Sequence, residues 1–165
     1  MKSNPEKLRA GATVKCNDKN GVIGAIINYN DKICALTVYH LIKAAKCTLD
    51  SEFSLNGFKG SISKILDDLD LVIIESDASS DESEISNLGR PRIGSAYALN
   101  GTKKNSCNVM TVGKTYHYLS FSHRSIPLPG DSGSPIIQNR KVVGILSSVF
   151  FNNAAGIAVS VENFI

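Results

Sequence analysis

The chain is built from short runs of β-branched and aliphatic residues broken every few positions by turn formers, and this rhythm is its strongest constraint on fold. Gly21–Asn28 (GVIGAIIN) and Ile33–Tyr39 (ICALTVY) are two such runs. The polar cluster Asn28-Tyr-Asn-Asp-Lys32 lies between them, so the pair reads as a hairpin. Leu69–Glu75, Ser95–Leu99, Asn108–Val112, Thr115–Phe121, Pro135–Gln138, Val142–Val149 and Gly156–Val161 continue in the same style. Helical periodicity is confined to the stretch after His40 (HLIKAAK) and to Val161–Ile165. Many short strands at this spacing predict an all-β sandwich or pair of barrels rather than an α/β sheet. With 42% hydrophobic residues among 165, the chain can bury a core as one compact unit or two packed subdomains.

Glu75–Asn87 (ESDASSDESEISN) breaks the pattern, with five acidic residues, many serines and no aromatic residue. Such a stretch cannot bury enough apolar surface to fold alone and is expected to be an exposed connection. The predicted organisation is a polar tail over 1–10, an N-terminal unit over 11–75, an acidic serine-rich connection over 76–92 and a C-terminal unit over 93–165. A balance of 18 basic to 15 acidic residues, with no basic aromatic patch, gives no reason to expect a nucleic-acid partner. No apolar run approaches the ~18 residues of a membrane span, so no membrane partner is expected. The N-terminal segment MKSNPEKLRAG has no apolar signal core, and the chain is expected to be soluble and cytoplasmic unless a leader has been removed. Cys16, Cys34, Cys47 and Cys107 form no CxxC pair, and in such a compartment free thiols are expected. Their spacing relative to His40, His117 and His123 matches no zinc pattern, and no nucleotide-binding loop occurs. No metal or cofactor is predicted.

The chemistry concentrates in Pro129-Gly-Asp-Ser-Gly-Ser-Pro135. A serine hydroxyl attacks a carbonyl only when a base takes its proton, and donors must receive the oxyanion that forms. Gly130 and Gly133 give the backbone around Ser132 the freedom to turn tightly and present N–H groups. Turn residues alone account for Gly-Asp-Ser-Gly equally well. Two further features raise its meaning. Thr37-Val-Tyr-His40 ends an apolar strand, and Asp70 stands at the head of the apolar run Leu71-Val-Ile-Ile74. A carboxylate there is costly unless paired, and a histidine N–H is its natural partner. Asp67 and Asp68 are nearby rivals; Asp70 is preferred because the apolar strand begins right after it.

His40, Asp70 and Ser132 in this order, as T-x-x-H, D followed by an apolar strand, and G-D-S-G-x-P, resemble the chymotrypsin-like serine proteases. The likeness runs from about Gly11 to the end and is nearest to compact bacterial trypsin-like peptidases, with Val143–Ser147 and Ala155–Ala158 matching the strands after the nucleophile. It implies two six-stranded antiparallel barrels, a short C-terminal helix and an active site in the cleft between them. The implied activity is a serine endopeptidase on polypeptide substrates, with Ser132 as nucleophile, His40 as base and Asp70 orienting the base. The likeness also implies an oxyanion hole from the Gly130 and Ser132 N–H groups, with Ser147 behind Asp70. Ser148 and Val149 would then be the edge that pairs with substrate.

Departures from the family bear on specificity and activation. Ile126 stands where trypsin-like enzymes carry a carboxylate, which argues against a basic preference. Val149 and Gly156 align with opposite pocket walls, and a branched Val149 implies a small or medium uncharged side chain before the cut. His123 is a rival pocket residue, with an exposed loop histidine as its plainer reading. Asp131 matches the aspartate that pairs with a released N-terminus in the extracellular enzymes, but no Ile-Val-Gly-Gly start exists here. Asp131 must have another partner, or the site stays latent until a regulatory protein binds. The alternatives are a peptide-binding pseudo-protease and a virus-encoded protease of the same fold.

Overall fold

Asparagine closes the tightest hairpins. The pairs Tyr29↔Lys32, Leu55↔Phe58 and Gln138↔Lys141 each leave two residues between strand ends. Those residues, Asn30-Asp31, Asn56-Gly57 and Asn139-Arg140, all have positive φ. This is the type I′ turn, whose twist matches that of the flanking strands.

The computed structural model describes residues 6–165. Its N-terminal half contains β1 (Thr13–Cys16), β2 (Lys19–Val22), β3 (Ala25–Tyr29), β4 (Lys32–Val38), helix α1 (Tyr39–Ala44), β5 (Phe53–Leu55), β6 (Phe58–Leu66) and β7 (Leu71–Ser76). Its C-terminal half contains β8 (Gly94–Asn100), β9 (Lys103–Val112), β10 (Tyr116–Phe121), β11 (Pro135–Gln138), β12 (Lys141–Phe150) and β13 (Ala155–Ser160). The latter six close into a barrel in the order β10-β13-β12-β11-β8-β9.

The N-terminal half departs from the expected second six-stranded barrel. It is an open seven-stranded sheet, β2-β1-β5-β6-β7-β4-β3, with β2 and β3 at its two edges. The chain between these edges faces the other half instead of closing the sheet. Val22 N–H donates to the Ser132 carbonyl at 3.1 Å, and a Cβ on Gly24 would lie 2.7 Å from Ile145 Cγ1. The expected C-terminal helix is also replaced, by a 3₁₀ turn over Glu162–Phe164. Five residues are too few to repay helix nucleation, and Val161 and Phe164 instead pack into the core between the halves.

That shared core explains why ICALTV and LVIIE read as continuous apolar runs. Alternate residues of β4 and β7 face opposite ways: Ala35, Val72 and Ile74 enter the N-terminal core. Leu36, Val38, Leu71 and Ile73 meet Val142, Ile145 and Val159 of the C-terminal half. Both faces are buried, so the usual polar alternation disappears. The acidic connection exposes most of its side chains, yet its backbone is tied down. Glu84 N–H donates to Leu8, Ser86 N–H to Ile26, and the Asn87 carbonyl accepts from Val142. No helix among the described residues is long and apolar enough to cross a membrane.

The expectation of four free thiols is corrected at two positions. Cys16 and Cys47 form a disulfide between β1 and the turn after α1, whereas Cys34 and Cys107 are free and buried. Burial pushes the Cys34 thiol up to about 11 and the Cys107 thiol up to about 12, so both are inert at neutral pH. The bridge spans 31 positions in sequence. Closing a loop of that length should restrict the unfolded chain enough to stabilise the fold by about 3–4 kcal/mol. Urea unfolding should therefore show a loss of that size in Cys16→Ser/Cys47→Ser, and the same loss in the reduced parent chain.

Candidate active site

Strand register brings the first two groups together. β4 and β7 pair antiparallel with Val38 opposite Leu71, so the residues just beyond, Tyr39-His40 and Asp70, leave the sheet at the same end. Tyr39 N–H donates to the Asp70 carbonyl at 2.9 Å, locking that junction. Asp70 closes a 3₁₀ turn over Asp67–Leu69 in the left-handed region, φ 53° and ψ 39°. This is an uncommon conformation for a residue with a side chain, and it turns the carboxylate back onto α1.

The carboxylate takes three donors there. The His40 backbone N–H reaches Asp70 Oδ1 at 2.8 Å, the imidazole Nδ1 lies 2.7 Å from Oδ2, and Ser147 Oγ–H donates to Oδ2 at 2.8 Å. Burial pushes the Asp70 carboxyl up. The hydrogen bonds from the His40 ring and Ser147, with the imidazole's charge and the His40 backbone N–H, outweigh that and hold it below the ordinary carboxylate value. An ionised acceptor assigns the proton to Nδ1, leaving Nε2 as the basic nitrogen.

Ser132 shares a cleft of about 320 Å³ with His40, lined also by Leu128, Pro129, Val149 and Phe151. Among the described residues, its hydroxyl bonds to the Pro129 carbonyl at 3.4 Å, and the imidazole bonds to Asp70. Pro129–Asp131 form a 3₁₀ turn closed by Asp131 N–H to the Leu128 carbonyl at 2.9 Å. Gly130 is absent from the positive-φ glycines. The turn therefore directs the Pro129 carbonyl, an acceptor, towards Ser132, where the sequence leads one to expect converging donors from Gly130 and Ser132. Gly133 is the glycine that needs its freedom: φ is +92°, and a Cβ would lie 2.2 Å from the Val22 carbonyl.

Asp131 has the internal partner that the sequence left open. Its buried carboxylate accepts from Asn100 Nδ2 at 2.7 Å, Lys103 Nζ at 2.8 Å and Leu128 N–H at 2.7 Å. Asn100 and Lys103 are paired positions flanking the β8–β9 turn, so one hairpin tip delivers both. Burial pushes the Asp131 carboxyl up, and the Asn100, Lys103 and Leu128 hydrogen bonds with the lysine charge bring it below the ordinary value.

Of the other predicted residues, Val149 lines the cleft, Ser148 is exposed on β12, and Ile126 packs against the C-terminal core. Gly156 is buried on β13 opposite Val149, and His123 is exposed in a turn outside the cleft. Asn100, Lys103, Leu128, Pro129 and Phe151 were not anticipated. A hairpin tip 28 residues upstream carries no local mark of its acidic partner.

No protein-family model matches the chain, and no curated protein matches its sequence. Solved structures do match. A protease of Nocardiopsis superposes with TM-score 0.68 at 12% identity, covering 93% of this chain and 91% of that one. A glutamic-acid-specific serine protease, which uses a histidine triad in substrate binding, gives TM-score 0.70 at 15% identity, with 93% and 94% covered. A chymotrypsin of Cellulomonas bogoriensis gives 0.64 at 13%, with 93% and 90% covered. The chain therefore has the fold of the chymotrypsin-like serine proteases.

The Lys103–Asp131 pair gives a pH-dependent expectation. Removing one partner of a buried ion pair costs several kcal/mol, and the half-exposed lysine reduces that to about 1–2 kcal/mol. Lys103→Met should lose this much stability at pH 7. The folded Asp131 carboxyl lies below its unfolded value of about 4, so the contribution is full above that pH and lost as pH falls through the folded value. Urea unfolding from pH 7 to pH 2 should show parent and variant converging on the acid side.

Proposed function

We propose that the chain is a serine endopeptidase that cuts polypeptides through an acyl-enzyme. The observation that carries this reading is an ionised Asp70 bonded to His40 Nδ1 at 2.7 Å, with His40 and Ser132 lining one cleft. His40 Nε2 takes the Ser132 proton as the hydroxyl attacks the scissile carbonyl, then gives it to the leaving amine. Asp70 holds the tautomer and stabilises the imidazolium. Catalytic hydrogen bonds are often unformed before substrate binds, and the Ser132–His40 hydrogen bond forms in the substrate complex. An extended substrate pairs with the Ser147–Val149 edge of β12. Val149 and the uncharged cleft select a small or medium uncharged side chain before the cut.

The oxyanion hole forms when the Pro129–Gly130 peptide rotates, turning its carbonyl out and the Gly130 N–H inward beside that of Ser132. This rotation carries Gly130 from negative to positive φ, which glycine permits. Nothing lies within 4 Å of a Cβ built on Gly130, so alanine fits the resting turn. Gly130→Ala should raise stability by about 0.5 kcal/mol. It should also lower peptide hydrolysis on the order of 100-fold or more, because it opposes the rotated state.

A fluorophosphonate probe tests the central reading. The purified parent chain should label stoichiometrically, Ser132→Ala and His40→Ala should not, and Asp70→Asn should cut kcat roughly 10⁴-fold. A well-folded parent chain that neither labels nor hydrolyses any peptide would falsify the reading.

A further inference from the structure

We propose that His117, inside the C-terminal barrel, is an acid-sensitive positioning residue for Asp70: while neutral it holds the β9–β10 turn closed, and through Tyr116 that turn braces the backbone presenting Asp70. The effect on catalysis rests on the endopeptidase reading; the effect on the turn does not.

His117 is 2% exposed on β10, paired with Val112 of β9 and Ala158 of β13. A Cβ on Gly144 of β12 would lie 3.5 Å from its Cδ2. Its Nδ1 accepts the Gly113 N–H at 3.3 Å, so the neutral ring carries its proton on Nε2. Among the described residues that Nε2 has no hydrogen-bond partner. A buried donor left unpaired is costly, and a phenylalanine would fill similar space without that cost. What the imidazole supplies and phenylalanine cannot is the acceptor at Nδ1, and protonation removes it. In the imidazolium both nitrogens are donors, and Nδ1–H would face the Gly113 N–H.

The surroundings do little for a cation. Val112 and Gly113, Val142–Gly144 of β12 and Ala155–Ser160 of β13 carry no ionisable side chain. Glu162, on the 3₁₀ turn after β13, favours the charged ring but is itself paired with Arg90 at 3.0 Å. Lys114, in the β9–β10 turn, is exposed. Burial therefore pushes the His117 ring below its ordinary value, against the opposing pull of Glu162 and the Val143 backbone.

The turn sits against the other half of the molecule. A Cβ on Gly113 would lie 2.3 Å from the Tyr116 carbonyl, so the loop is tight, and Ser160 N–H donates to the Thr115 carbonyl at 2.8 Å. Tyr116 points the opposite way from His117, as strand neighbours do, and its hydroxyl donates to the Asp68 carbonyl at 3.4 Å. Asp68 lies in the 3₁₀ turn Asp67–Leu69, which closes when Asp70 N–H donates to the Asp67 carbonyl at 3.1 Å. One hydrogen bond therefore stands at each step from the ring to Asp70. Protonation of His117 breaks the first, frees the turn and withdraws the brace on Asp68.

The test follows Gly113 amide exchange and the rate of fluorophosphonate labelling of Ser132 together, from about pH 8 to pH 5. The open turn returns His117 to its ordinary value of 6.5 and the closed turn holds it lower. Closure is thus complete above that pH and weakens as pH falls below it. Gly113 protection should be constant above 6.5 and drop by up to about tenfold per pH unit below it. His117→Asn keeps an acceptor where Nδ1 stands and does not titrate, so its protection should stay flat. His40 is common to both proteins, and the ratio of parent to variant labelling rates should fall several-fold between about pH 7 and pH 5. Tyr116→Phe should keep the pH-dependent exchange at Gly113 and lose the extra acid fall in labelling. If the asparagine variant fails to fold, His117→Gln is read the same way. Protection that is flat in the parent, or falls equally in the asparagine variant, overturns the latch. Exchange that changes while the labelling ratio stays constant overturns the positioning of Asp70. A parent chain that labels at no pH overturns the endopeptidase reading and the catalytic effect with it, while the exchange still decides the latch.

Discussion

The arrangement turns on one half-buried carboxylate. Asp70 holds a left-handed backbone conformation and a charge partly withdrawn from water, both unfavourable in isolation. Three donors offset these costs, and their origins matter. The imidazole and backbone N–H of His40 come from α1 in the N-terminal half, while the Ser147 hydroxyl comes from β12 in the C-terminal barrel. Satisfying Asp70 therefore fixes the rotamer of His40 and the seating of the two halves together. The apolar layer of Leu36, Val38, Leu71, Ile73, Ile145 and Val159 supplies most of the attraction between the halves. A hydrophobic layer is non-directional, and the Asp70 bonds give it a register.

A second carboxylate does for the Ser132 segment what Asp70 does for His40. Asp131 sits directly before Ser132 and is anchored by Asn100 and Lys103 at the tip of one hairpin. Its bond from Leu128 N–H and the Val22 N–H bond to the Ser132 carbonyl hold both ends of the turn. Between these anchors only the Pro129–Gly130 peptide is left to turn, and Gly130 has open space around it. Rigidity around the serine and freedom at one peptide thus come from the same set of contacts.

The sequence carries the parts of this structure that are written locally. Asn30-Asp31, Asn56-Gly57 and Asn139-Arg140 mark their turns, and the apolar runs mark strands buried on both faces. The cost of a carboxylate ahead of LVII calls for a partner such as a histidine N–H, and the choice of His40 rests on the family resemblance. What could not be read depends on residues distant along the chain. Cys47 meets Cys16 across 31 positions, and Lys103 meets Asp131 across 28. The open sheet has a similar cause: Val22 and Gly24 look like ordinary strand residues until the Ser132–Gly133 loop takes their neighbourhood.

On the proposed function, substrate selection and assembly of the oxyanion site share a residue. Pro129 lines the cleft that receives the substrate side chain, and its carbonyl faces the Ser132 hydroxyl in the resting turn. An entering side chain therefore touches the residue whose peptide must rotate, while the substrate carbonyl supplies the acceptor that rewards two inward N–H groups. A side chain too large for the cleft beside Val149 holds its own carbonyl away from Ser132, and the rotation then has nothing to stabilise it. Discrimination would then appear in kcat as well as in KM, since the donors that stabilise the transition state assemble only around a substrate that fits.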